Sequence, residues 1–424
     1  MTPLVIGIDI GTSGARAVAM RPDFSIAGHS AVPLDRFGRD GRAPTAWWQA
    51  VKAALTDLLS RIDRAAVRAI AVDGTSGTLL PVDAAGRPLA QPLMYNDKVA
   101  DGDILAAIAR EAPAASAAHG ATSGLAKALR FQHLPGIAAV LHQADWIAGN
   151  FSGRFDVSDE NNALKTGYDV EARRWPAWIE AVGMRMELLP RIVEPGDVTG
   201  ALTAAAVELF GLPRDVAVVA GTTDGCASFL ATGAATIGDG VTALGSSLTI
   251  KMLSDRPISA PRFGIYSHRL GNAWLAGGAS NSGGKVLAQH FSLARIIELS
   301  AAIDATTATG LDYYPLSTSG ERFPIADPAL PPRLTPRPAD DANYLKAMFE
   351  GIAAIEALGY DRLAELGAPA LTSVRSVGGG ATNPAWTAIR RRKLGVDFLP
   401  ALSDEAAAGT ARLALMGASR AGLL

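Results

Sequence analysis

Apolar residues along the chain follow two rhythms. Short unbroken apolar runs end in glycine-and-hydroxyl turns, which is how buried strands read. Longer stretches repeat apolar positions every three or four residues, as amphipathic helices do. Leu4–Ile10, the turn Gly11-Thr12-Ser13-Gly14 and Ala15–Met20 predict a hairpin. Near Trp47–Ile62 a helix is expected, with Trp47, Val51, Leu55, Leu58 and Leu59 on one face. Strand Ala69–Val72 runs into Asp73-Gly74-Thr75-Ser76-Gly77-Thr78, with Leu79–Val82 as its expected hairpin partner and Asp83–Arg87 as a turn. From about 100 to 200 the chain is alanine-rich and predicts mostly helix. Alternation of strands and helices is the signature of an α/β protein.

The opening pattern then recurs. Strand Val216–Ala220 ends in Gly221-Thr222-Thr223-Asp224-Gly225, and Val241–Leu244, Gly245-Ser246-Ser247 and Leu248–Leu253 repeat the order strand, glycine-hydroxyl turn, strand. Laid on the first copy, Gly-Ser-Ser matches Gly-Thr-Ser, and Ala243 stands where the first copy has Asp9. A proline-rich stretch, Pro315–Pro338, precedes a helix over Asn343–Leu366, strand Leu371–Val377, the run Gly378-Gly379-Gly380-Ala381 and a closing helix from Ser403. The expected division is into two α/β halves, 1–221 and 222–424.

Composition narrows the class. With 424 residues, 49% hydrophobic and 19% charged, the chain can bury sizeable cores, which excludes a disordered protein. A formal net charge of −2 argues against a nucleic-acid partner. The single cysteine fits a reducing compartment, and Cys226 itself reads as a small buried residue. No basic stretch opens the chain and Asp9 breaks the first apolar run, so neither a leader nor a membrane span is expected. The nearest span candidate, Val216–Gly238, is interrupted by Thr222, Thr223, Asp224 and Thr236. These readings point to a cytoplasmic protein.

The turns carry the candidate chemistry. Glycine lets backbone N–H groups approach a ligand closely, and neighbouring hydroxyls add donors, so such turns suit anions as well as plain hairpins. Asp9 lies inside an apolar strand, where an unpaired carboxylate is costly. It either faces a cleft, where it could hold Mg²⁺ beside phosphates, or bonds to neighbouring amides. Asp224, after a strand, is either a general base or an acid in a helix's first turn. Gly378–Ala381 with Asn383 and Trp386 offers a flat backbone surface, an amide and an indole to an aromatic base.

Several motifs are excluded. Gly278–Lys285 has glycine where a phosphate-binding loop needs lysine, and Val286 follows Lys285 where that loop needs Ser or Thr. No G-x-G-x-x-G opens the first helix and no G-x-S-x-G surrounds the candidate serines. The six histidines lack metal-site spacing. Arg390–Lys393 reads as a solvated helix face, and Ser280-Asn281-Ser282 as the cap of a helix starting near Gly284.

Taken together, Ile8-Asp-Ile-Gly-Thr-Ser13, Gly238-Asp-Gly with Leu244-Gly-Ser-Ser247, and Gly378-Gly-Gly-Ala with Trp386 resemble the two phosphate motifs and the adenosine motif of the FGGY carbohydrate kinases. Leu93-Met-Tyr-Asn-Asp97, Asn281-Ser-Gly-Gly284 and Pro315-Leu with Gly320-Glu-Arg-Phe-Pro324 extend the resemblance over nearly the whole chain. It implies two actin/hexokinase-like, ribonuclease H-like domains flanking a catalytic cleft, with the sugar mainly on the first and ATP on the second. It implies Asp224 as catalytic base, Asp9 as the acid that positions Mg²⁺, and both with Ser76 as sugar contacts. Thr12, Ser13, Gly245, Ser246, Ser247, Gly379, Gly380, Asn383 and Trp386 would bind ATP. Where xylulokinases usually show Ser-Gly-Gln-Met-His-Gly, this chain has Val72–Thr78. With Gln143–Trp146 and Ser158–Lys165 it resembles the cyanobacterial and plant branch thought to phosphorylate D-ribulose. D-xylulose, another small polyol, or a sugar or nucleotide sensor of the same fold are the alternatives. Monomer and homodimer both remain open.

Overall fold

The computed structural model describes residues 2–38 and 41–424, which form two compact units. The first runs through Ala231, past residue 221, and takes in His268–Gly271 and Glu405–Leu424; the second holds Thr232–Ser267 and Asn272–Asp404. In the first unit lie β1 (Leu4–Ile10), β2 (Gly14–Met20), β3 (Ile26–Pro33), β4 (Val67–Gly74), β5 (Leu79–Val82), β6 (Ala139–His142), β7 (Val157–Asp159), β8 (Arg191–Val193), β9 (Val198–Ala201) and β10 (Ala217–Val219). The main sheet has the order β3-β2-β1-β4-β10-β9. Strand β1 is antiparallel to β2 and parallel to β4, and all seven of its residues are buried. That double burial is why, Asp9 apart, it reads as a continuous apolar run.

Helix Pro44–Leu59 covers one face of this sheet, setting Trp47, Val51, Leu55 and Leu58 against Ile6, Ile8 and Ile10. The other face receives helix Ala406–Arg420, whose Ala407, Ala411 and Ala414 meet Val5, Ala69 and Val219. Small residues permit that approach. A Cβ on Gly7 would lie 2.1 Å from the Ala407 carbonyl oxygen, and one on Gly409 1.8 Å from that of Ala227.

Two expectations fail in this unit. β5 pairs with β6 and not with β4, because both edges of β4 are already taken by β1 and β10. The stretch from 100 to 200 is also less helical than its alanine content suggests. Helices Gly102–Glu111, Gly124–Phe131 and Gln143–Ser152 are interleaved with β6 to β9, since alanine carries no directional preference strong enough to oppose pairing.

Further along come β11 (Asp239–Leu244), β12 (Leu248–Ser254), β13 (His268–Leu270, counted with the first unit), β14 (Ala273–Ala279), β15 (Ser373–Val377) and β16 (Asp397–Leu399). Within the second unit the order is β14-β12-β11-β15-β16. β14, β12 and β11 are successively antiparallel, and β11, β15 and β16 are parallel. This is the order and sense of β3-β2-β1-β4-β10, so the repeat seen in the turns extends to the topology of each sheet.

Arg390 corrects the reading of a solvated face. It is fully buried on helix Pro384–Leu394, donating from Nε and Nη2 to the two Glu356 oxygens at 2.6 and 2.7 Å, while Arg391, Arg392 and Lys393 are exposed. Helical rotation turns position 390 inward with Trp386 and Ile389. Thr242 Oγ1 completes the network by donating to Glu356 Oε1 at 2.5 Å. Arg390→Met strands a buried carboxylate and is expected to cost about 3–5 kcal/mol in urea unfolding, most of it recovered in Glu356→Leu/Arg390→Met. A single variant no less stable than the double one contradicts this.

Candidate active site

Three acids distant in sequence converge in the first unit. Asp9 lies opposite Asp73 in the parallel β1–β4 register, and a bridge from Gly74 to Thr223 brings up Asp224 at the start of helix Asp224–Ala231. Asp9 is 6% exposed and Asp73 wholly buried. Arg16 Nη1 meets Asp9 at 3.2 Å and Thr410 Oγ1 donates to Asp73 Oδ2. Burial, first of all, pushes both pKa values up, Asp73 well above the usual range, where the charge of Asp9 adds to the rise. Asp73 Oδ1 is buried without a hydrogen-bond partner among the described residues, so Asp73 is the acid whose charged form is the more disfavoured. Asp224 raises both further. Asp224 itself is half-buried, and its Oδ1 accepts the Gly225 N–H at 2.7 Å.

Among the described residues, no three His, Cys, Asp or Glu side chains form a group that could hold a metal alone. The cluster nevertheless fits Mg²⁺ arriving on phosphates, which needs only one or two carboxylates. Three carboxylates meet there with Arg16 paired to one of them, Asp9, an excess of acids that a cation would relieve. Beside Asp9, Thr12 and Ser13 are exposed at the β1–β2 turn.

The loop after β4 carries a second polar group. The N–H of Thr75 donates to Gln143 Oε1 at 3.0 Å. The remaining polar atoms, Thr75 Oγ1, Ser76 Oγ and Gln143 Nε2, are buried without a hydrogen-bond partner among the described residues. Buried polar atoms are normally satisfied, so a set of orphans on one loop marks a place for a polar ligand.

In the second unit, Gly245 and Ser246 are exposed and Ser247 half-buried at the β11–β12 turn. Helix Gly284–His290 starts where expected, but Ser280-Asn281-Ser282 does not cap it: Ser280 Oγ and the Asn281 N–H bond to Glu321. The N–H groups of Gly284 and Lys285 instead reach the carbonyls of Gly245 and Ser246, at 2.9 and 3.1 Å. Those nearby backbone acceptors remove the need for a hydroxyl cap.

A cavity of about 760 Å³ opens beside this turn, lined by Leu244, Gly284, Leu287, Phe291, Ile296, Ser300, Gly379, Gly380, Asn383 and Trp386 among others. Its mainly apolar walls fit a flat aromatic base. Trp386 is not free to offer an indole face from both sides. It is 2% exposed and stacked on Phe349 at 4.8 Å and 7°, because a large apolar ring on the inner side of its helix is held by the core. Asn383 caps the same helix, accepting the Trp386 N–H at 3.0 Å and donating to Ser300 Oγ at 2.7 Å. Cys226 is buried as expected.

Sequence reasoning missed Asp73, Thr75 and Gln143. Asp73 had a signal, an acid in an apolar strand like Asp9; Gln143 stood in the segment Gln143–Trp146 that carried part of the resemblance, but only the fold brings it under the loop.

Two phosphate-type turns on repeated sheets, with acids beside only the first, define a sugar kinase fold. Two family models agree. The N-terminal domain of the FGGY family of carbohydrate kinases matches residues 4–112 and 130–231, and its C-terminal domain matches 240–418. The chain belongs to the FGGY family of carbohydrate kinases. It is 26% identical over 442 residues to xylulose kinase from Escherichia coli (strain K12), covering 98% of this chain and 90% of that protein. Autoinducer-2 kinase from Yersinia enterocolitica is 27% identical over 302 residues, covering 65% of this chain and 56% of that one. The crystal structure of xylulose kinase from Rhodospirillum rubrum superposes with a TM-score of 0.82 at 25% identity, covering 98% of this chain and 90% of that one. No helix among the described residues is long and apolar enough to cross a membrane.

The acid pair gives a pH signature. Asp73 holds its proton to higher pH in the folded chain than in the unfolded one. Its contribution to stability is therefore full below the ordinary aspartate pKa of about 3.9 and lost as pH rises through the raised value. Asp73→Asn stays neutral throughout. Its stability relative to the parent is expected to improve as pH rises above the ordinary aspartate pKa of about 3.9, by at most ~1.4 kcal/mol per pH unit. A difference that stays flat in denaturant titrations across that range contradicts the assignment.

Proposed function

We propose that this carbohydrate kinase transfers the γ-phosphate of ATP to a hydroxyl of a ketopentose, with D-ribulose as the preferred acceptor. The observation that carries the reading is the loop Asp73–Thr78, whose Thr75 and Ser76 hydroxyls, with Gln143 Nε2, are buried and unspent beside the acid cluster. A polyhydroxylated ligand satisfies such a set, and an apolar one does not. D-xylulose is the second reading, favoured by the likeness to xylulose kinase along nearly the whole chain.

Asp224 is assigned as the general base that accepts the proton of the attacking sugar hydroxyl. Ser76, Asp9 and Asp224 contact the sugar. Asp9 also holds Mg²⁺, which when bound neutralises phosphate charge, while Arg16 at 3.2 Å favours its ionised form. Thr12 and Ser13, with Gly245, Ser246 and Ser247, offer hydroxyl and backbone donors to the phosphates. Gly379 and Gly380 take the base against backbone, with Asn383 and Trp386 building the wall behind. Such a site needs mainly positioning and charge neutralisation, which these few residues supply. The enzyme is assigned to the cytoplasm, as a monomer or homodimer.

A coupled ADP-release assay across D-ribulose, D-xylulose, ribitol and glycerol tests the substrate. The highest kcat/KM is expected with D-ribulose; a higher value with D-xylulose selects the second reading, and no stimulation by any of them points to a sensor. Asp224→Ala is expected to lower kcat by about 10²- to 10⁴-fold while ATP binding, followed by calorimetry, is retained. Loss of ATP binding as well assigns Asp224 a structural role.

A further inference from the structure

Lys127, on helix Gly124–Phe131, has no part in the phosphoryl-transfer reading, yet it is fully buried. Burying an ammonium costs several kcal/mol before it is paired, and a methionine of similar length would fill the space without that cost. What lysine adds is donors. Its Nζ donates to the carbonyl of Gly77 and to that of Met94, both at 2.7 Å. The two acceptors lie on separate loops, one residue from Ser76 and one residue from Tyr95. Gly77 has φ of +79°, a left-handed conformation that glycine adopts without strain.

Other bonds join the same loops. Leu79 and Leu93 exchange backbone hydrogen bonds at 3.0 and 2.9 Å, and the Tyr95 N–H donates to Thr78 Oγ1 at 3.1 Å. Asp97 supplies the counter-charge, though burial still pushes Lys127 down to about 8. Beyond this bolt, one loop holds the unspent hydroxyls of Thr75 and Ser76, and the other exposes Tyr95 and Asn96.

We propose that Lys127 is a positioning residue for the acceptor sugar: one ammonium fixes the Gly77 and Met94 carbonyls and so sets the Thr75–Ser76 hydroxyls against the Tyr95–Asn96 edge. This rests on the sugar-kinase reading above. In the full-length chain, Lys127→Met is expected to raise the KM for the sugar by about 10-fold or more while the KM for ATP stays unchanged and kcat at saturating sugar changes by less than about threefold. Hydrogen exchange is expected to quicken in residues 75–78 and 94–97 and not in β1. Lys127→Arg, which keeps charged donors, is expected to recover part of the sugar KM. If Lys127→Met does not fold, Thr78→Val removes only the acceptor for Tyr95 and is expected to move the sugar KM in the same direction. A folded variant with an unchanged sugar KM, or one in which both substrates' KM values rise together, overturns the positioning role alone. A parent protein that phosphorylates no sugar overturns the kinase reading and this role with it.

Discussion

Asp9 and Asp73 face one another on adjacent parallel strands in the interior of the first unit, and two buried carboxylates so placed cannot both be ionised. The rest of that unit is arranged around this constraint. Burial holds the pKa of Asp73 well above the usual range, Arg16 balances Asp9, and Thr410 donates to Asp73 from the last helix. Glu405–Leu424 therefore belongs with the first unit although it ends the chain. Gly7 and Gly409 are the positions where a side chain would hold that helix off. A one-residue slip between β1 and β4 would break the acid pairing and reverse each face of the strand, so register and chemistry are specified together.

The second unit shows what the same topology does without the constraint. Its registered counterparts of Asp9 and Asp73 are Ala243 and Val377, paired across β11 and β15. With no acids at those two positions, the glycine-hydroxyl turn borders a mainly apolar cavity, and buried charge in this unit lies elsewhere, as in the closed Arg390–Glu356 pair. One unit thus carries the acids and unspent hydroxyls suited to a polyhydroxylated ligand, and the other the apolar walls suited to a flat base. The repeated sheet order explains how both can carry the same turn.

The division between what could and could not be read in advance follows the range of the interactions. The β1–β2 and β11–β12 hairpins, the helix over 341–365 and the turns that close the strands depend on neighbours a few residues apart, and they were legible. The same holds for Asp9, since an acid in an apolar run needs a partner wherever the strand lies. The partner of β5, the burial of Arg390 and the stacking of Trp386 on Phe349 were not legible. Each depends on which edge or face a distant element leaves open. Ser280 follows the same rule, because Glu321 claims its hydroxyl and the turn carbonyls serve the helix in its place.

By itself, the order of residues determined the elements and the duplicated turn motif, because periodicity, glycine spacing and turn chemistry are local; the family followed from the likeness of its motifs to those of the FGGY carbohydrate kinases. Tertiary structure alone decided that Asp73 is buried opposite Asp9, that Gln143 and Lys127 support the loop carrying Ser76, and that the final helix bonds to Asp73 through Thr410. Those outcomes depend on desolvation and on hydrogen-bond distances between segments far apart in the chain, which no local pattern encodes.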